Sequence, residues 1–213
     1  MKSLSLSCLS AFVLLITPTI DAQQEARHFV ARGNMRLTDS ESLWTGRFSD
    51  CELRYYALIP NGFVAHGNRP AGRLHGVLFG LPDTGTTDVV TLDDDRFISV
   101  MARSNEFEFR SVKEFADHVL SDLGKGKSGF ETGARESTHL DRELAVRLRV
   151  EYGDPGSRVV EEKLLALRLG VLYEIGLRTT EGHYDIDAQS FAKVVAGFRF
   201  WTNYRCYGTN NNP

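Results

Sequence analysis

Cysteine is scarce: the 213 residues contain three. Cys8 lies in the first segment of the chain, so Cys51 and Cys206 are the two that matter for the remainder. That number excludes a disulfide-dense mini-scaffold and a thiolate-rich zinc site. Long apolar runs are lacking as well. The mostly apolar stretch Leu4 to Ile16 falls short of the roughly 20 residues a spanning helix needs, so no membrane span is expected. Nor is there an excess of one charge. Against 28 acidic side chains stand 25 basic ones, leaving −3. Such a mixed balance offers no electrostatic case for nucleic acid or for an anionic membrane surface.

Catalytic signatures are missing too. There is no Gly-x-Ser-x-Gly elbow to expose a serine nucleophile. Gly126-Lys127-Ser128 imitates the end of a phosphate-binding loop. The first glycine of that loop would fall at Ser121, however, and the segment follows a helical pattern instead of a strand. Asp93-Asp94-Asp95 lacks the alternating ligands, central glycine and closing glutamate of a calcium loop, and reads as an acidic turn. No cofactor is expected.

What is present at the start has the order of a secretory leader. Lys2 precedes the apolar run, Thr17-Pro18-Thr19 breaks it, and small Ala22 comes before polar Gln23-Gln24-Glu25. The expectation is a signal peptide at 1–22, cleavage near Ala22, and one secreted α+β domain at 23–213, periplasmic or extracellular. In an oxidising compartment Cys51 and Cys206 are expected to pair as a single intramolecular disulfide.

Periodicity sketches the domain. Glu52 to Ile59 alternates as a half-buried strand, Pro60-Asn61-Gly62 turns it, and Phe63-Val64-Ala65 continues as its partner. His75 to Leu81, Thr86 to Leu92 and Arg96 to Arg103 are further β-rich runs. Ser111 with Glu114 is a capping-box pattern. Val112, Phe115, Ala116, Val119, Leu120 and Leu123 then draw one apolar helical stripe. A loop follows to Gly133. Residues 144–152, 159–168 and 171–179 alternate as a meander, and Asp187 caps a second helix carrying Ala188, Phe191, Val195 and Phe198. Short connections argue for an antiparallel sheet with two main helices, an α+β fold. Charges at 147, 149, 151, 174 and 178 suggest that part of one sheet face meets water.

Several segments together resemble the Mog1/PsbP-like superfamily. They are Ile59-Pro60-Asn61-Gly62-Phe63 after an early strand, the capped mid-chain helix, the meander 144–179, and the closing Ser190-Phe191-Ala192-Lys193-Val194-Val195-Ala196-Gly197-Phe198. The resemblance covers residues 52–200 and implies an antiparallel sheet flanked by helices. At the level of fold alone it implies no particular activity.

Histidines supply the remaining candidates. His66 and His75 are flanked by glycines and nine residues apart; on adjacent strands they could share a metal or a proton, although no third ligand has motif spacing. His139 with Asp141, and Glu114 with His118, offer further carboxylate–imidazole pairs. Arg147, Arg149, Lys163 and Arg178 could form a basic patch, but interspersed glutamates favour cross-strand ion pairing. Phe198, Phe200, Trp201 and Tyr204 read as core and collar. The reading is an exported, non-enzymatic binding or accessory protein whose partner is a protein or a small molecule. The alternative is a secreted hydrolase or metal-dependent enzyme using His66, His75 or His139.

Overall fold

The computed structural model describes residues 28–31, 42–44, 46–50, 52–60, 65–68, 74–82, 89–92 and 96–201. Strands β1 (His28–Ala31), β2 (Ser42–Trp44), β3 (Arg47–Asp50), β4 (Tyr55–Leu58) and β5 (Ala65–Asn68) come first. They are followed by β6 (Leu74–Pro82), β7 (Val89–Leu92), β8 (Phe97–Ser104) and helix α1 (Val112–Gly124). Next come β9 (Glu131–Leu140), β10 (Glu143–Tyr152), β11 (Val159–Arg168) and β12 (Val171–Thr180). A 3-10 turn (Glu181–His183), helix α2 (Tyr184–Gly197) and β13 (Phe198–Phe200) close the fold.

The large sheet runs β1-β7-β6-β8-β12-β11-β10-β9, with β5 joining β6 to β2. The β1–β7 pair at its edge is parallel, whereas the pairs from β6 through to β9 are antiparallel. Two-residue turns set the meander. Asp141 and Arg142 (φ 43° and 76°) join β9 to β10, and Leu169 and Gly170 (φ 50° and 76°) join β11 to β12. Positive φ at both central residues matches the right-handed twist of a hairpin. The chain is an α+β protein, as its periodicity predicts.

Each face of this sheet buries a different layer. On one side, α1 lays Val112, Phe115, Ala116 and Val119 on Val146, Leu148, Leu165 and Leu172. Its N-cap is Ser111, whose hydroxyl accepts from the Glu114 amide at 3.2 Å. On the other side lie α2 and a second sheet, ordered β13-β4-β3. Phe48, Tyr55, Phe198 and Phe200 from that small sheet meet Tyr173 and Ile175 in the main core. The Tyr173 hydroxyl, buried there, donates to the Leu53 carbonyl at 2.7 Å.

Four local expectations are corrected. Phe63 and Val64 lie outside the described residues, and Ala65 opens β5, which pairs with β2 and β6, whereas β4 lies between β3 and β13. The loop expected to run to Gly133 ends earlier, because an edge strand already begins at Glu131 and continues to Leu140. Most of its side chains are exposed, so no apolar alternation marks it in the sequence. Helix α2 starts at Tyr184, and Asp187 does not cap it: that carboxylate is buried and holds Arg96 at 2.9 Å. The charges at 147, 149, 151, 174 and 178 divide between two faces, because Arg147 registers with Leu164 and Ile175 whereas Glu174 registers with Leu165.

Candidate functional site

Helix α1 covers β10 and β11 and stops short of the centre of the sheet, where β6, β8 and β12 continue. Side chains two apart on a strand share a face. On this side β8 therefore presents Phe97, Ser99, Met101 and Arg103 in one row. Leu78 of β6 registers with Ser99, and Glu174 of β12 registers with Met101. With Phe115 of α1 as a wall and Leu172 beside it, the row lines a cavity of about 350 Å³.

Two glycines shape its floor. A Cβ on Gly76 would stand 2.2 Å from the Met101 Sδ and 2.5 Å from the Val100 carbonyl oxygen. Only hydrogen there allows Met101 to lie across β6. A Cβ on Gly176 would meet the Ser99 Oγ at 2.9 Å and the Lys163 Nζ at 3.2 Å. That gap lets the lysine stem cross β12 to Glu174, at 2.5 Å.

Beside the cavity the polar groups neutralise one another. Glu161 accepts from Lys127 and Arg178, each at 3.1 Å, and from the Tyr152 hydroxyl; Lys163 lies 3.8 Å from its second oxygen. Burial opposes the Glu161 charge, yet Lys163, the Tyr152 hydroxyl and Lys127 outweigh it and hold the carboxyl below its ordinary range. Lys163 is the mirror case. Burial disfavours its ammonium, but Glu174 and Glu161 more than offset this and raise it.

The opposite face has a smaller cavity of about 250 Å³ between β9–β11 and α2, and His139 is on its rim. Inside it, fully buried Glu162 accepts from the Arg147 Nε at 2.7 Å and from the Tyr184 hydroxyl at 2.7 Å. The His139 side chain is exposed and makes no hydrogen bond with a described residue. Asp141, its suggested partner, instead accepts from the Phe200 amide at 2.7 Å. His118 packs at a tilt against Phe107 and Phe109 and lies 3.2 Å from Asp122.

His66 of β5 registers with Leu78, and His75 of β6 registers with Ala102. Leu78 and His75 are three residues apart on one strand, and an odd offset assigns the two histidine positions to opposite faces. Among the described residues no cluster of three or more His, Cys, Asp or Glu could hold a metal ion. Asp93-Asp94-Asp95, Cys51 and Cys206 lie outside the described residues. The basic patch is not formed as one surface: Arg147 pairs with Glu162, Lys163 with Glu174 and Arg178 with Glu161. Sequence reasoning missed the cavity row on β8. The glycines at 76 and 176 inside strand patterns were its available signal.

No protein-family model matches the sequence, and no curated protein matches it. Solved structures do. The chain is similar to cyanobacterial PsbP (CyanoP) from Synechocystis, with a TM-score of 0.49 and 19% identity over 80% of this chain and 97% of that one. A Pseudomonas aeruginosa protein of unknown function gives a TM-score of 0.45 and 13% identity, over 66% of this chain and 92% of that one. LpqN of Mycobacterium tuberculosis, involved in cell envelope biogenesis, gives 0.40 and 9% over 76% and 90%. At these identities the likeness carries nothing about activity. Among the described residues no helix is long and apolar enough to cross a membrane.

Proposed function

We propose that this is an exported binding or accessory protein, not an enzyme, and that it takes a small ligand on the part of the sheet α1 leaves uncovered. The observation behind this reading is the 350 Å³ cavity, which combines an apolar lining with a few convergent polar groups, Ser99, Arg103 and Glu174. Its size lies at the small end of the range that ligand sites occupy. Export rests on the leader pattern at 1–22, and a disulfide between Cys51 and Cys206 is the expected consequence of it. The described neighbours of that pair run side by side: the Trp201 amide donates to the Arg54 carbonyl at 2.9 Å.

The test is saturable binding of N-phenylnaphthylamine, a neutral apolar fluorophore, to the purified protein. One site is expected, and Met101→Trp should abolish it by filling the cavity while the melting curve remains cooperative. Ser99→Leu serves the same purpose if the tryptophan variant fails to fold. Unchanged binding in a folded cavity-filling variant refutes the reading.

A further inference from the structure

Resting on that reading, we infer that the ligand is an elongated apolar molecule ending in a carboxylate, its tail over Met101 and its head on the Arg103 guanidinium. The apolar part follows from Leu78, Phe97, Met101, Phe115 and Leu172 in the lining. The elongated shape follows from the strand. Alternate residues of β8 advance roughly 6.7 Å, so the row from Phe97 to Arg103 extends about 20 Å along one face.

The head group follows from which charges are already met. Glu174 is neutralised by Lys163 at 2.5 Å. Arg178 and Lys127 are held by Glu161 at 3.1 Å. Arg103 differs: its guanidinium lies over the Phe107 ring, 5.4 Å from the centroid, and makes no hydrogen bond or ion pair with a described residue. Arg103 acts on the nearby Asp122 carboxylate only through space, and that carboxylate is engaged directly by Lys125 at 2.5 Å and His118 at 3.2 Å. A guanidinium offers a planar fork of donors that matches a carboxylate with two parallel hydrogen bonds. One guanidinium also balances one negative charge, whereas a doubly charged phosphate would leave excess charge near Glu174. Phe107, 55% exposed and stacked on Phe109 at 5.4 Å, adds apolar surface under the head.

The experiment is displacement of N-phenylnaphthylamine by decanoate, decanol and decyl phosphate, on the wild-type chain and on Arg103→Met. Decanoate should displace the probe at least about tenfold more effectively than decanol, matching the typical worth of charge-assisted hydrogen bonds. Arg103→Met should weaken decanoate by about 10- to 100-fold and leave decanol unchanged. Arg103→Lys, which keeps the charge and loses the fork, should fall between. Equal decanoate binding by wild type and Arg103→Met overturns the inference, as does decyl phosphate displacing best. Probe bound but not displaced by decanoate also overturns it, with the cavity reading intact. A probe that never binds removes both.

Discussion

Removing the Asp187 carboxylate tests how α2 is fastened to the large sheet. It is 1% exposed and accepts from the Arg96 Nη2 at 2.9 Å, from the Arg96 Nε at 3.1 Å and from the Thr179 hydroxyl. Arg96 enters from the residue before β8, Thr179 from the end of β12, so one side chain ties three elements. Breaking a buried ion pair from one side typically costs about 3–5 kcal/mol. The Arg96 side chain retains 11% exposure and has a further partner, which places the Asp187→Ala cost near the lower end, about 3 kcal/mol. Losing the acceptor of the fully buried Thr179 hydroxyl adds about 1 kcal/mol. In a domain of this size each kcal/mol lowers Tm by about 2–4 °C, so a fall of about 10 °C is expected. Urea unfolding followed by circular dichroism gives the free energy directly. The double variant Arg96→Met with Asp187→Leu should recover most of the loss, because well-packed apolar replacements of a buried pair are often neutral. A cost below about 1 kcal/mol for Asp187→Ala, or a double variant worse than the two singles combined, would mean that this carboxylate does not fasten α2 to the sheet.

Three further outcomes are expected. Gly76→Ala should destabilise by about 1–3 kcal/mol, since its Cβ would lie 2.5 Å from the Val100 carbonyl oxygen, a backbone atom that cannot rotate away; thermal unfolding measures this. Burial pushes the Tyr173 phenol up to about 12, Arg168 and Arg54 only partly opposing it, against 10.0 in the unfolded chain. A raised phenol favours the neutral folded form. Its contribution, roughly 2–3 kcal/mol, is therefore present below pH 10 and lost as pH climbs towards 12, and Tyr173→Phe should flatten that part of the stability profile. Mass spectrometry of exported protein should find Cys51 and Cys206 linked, and reduction should cost about 5 kcal/mol in the chain-entropy account; two free thiols contradict it.

Legibility in the sequence followed burial. Strand β10 and helix α1 were readable because polar and apolar residues keep the period of the element: Leu148 and Val150 against Arg147 and Arg149, and Phe115 and Val119 against Glu114 and Asp117. Edge strand β9 was not readable, since its residues from Glu131 to Ser137 all face water and leave no period. Asp187 was misread because an acidic residue near a helix start is ordinarily a cap; only the tertiary approach of Arg96, far away in sequence, makes it a buried anchor. The cavity was hidden for the same reason. Ser99, Gly76 and Gly176 come from three strands, and only the register of β6, β8 and β12 brings them together.

The most direct test of the binding site is chemical-shift mapping by NMR during titration with N-phenylnaphthylamine. The shifting amides are expected to cluster at Leu78, at Ser99 to Arg103 and at Leu172 to Glu174. Shifts centred instead on Thr138, Arg147 and Phe191 would place the ligand in the cavity beneath α2 and contradict the proposed site.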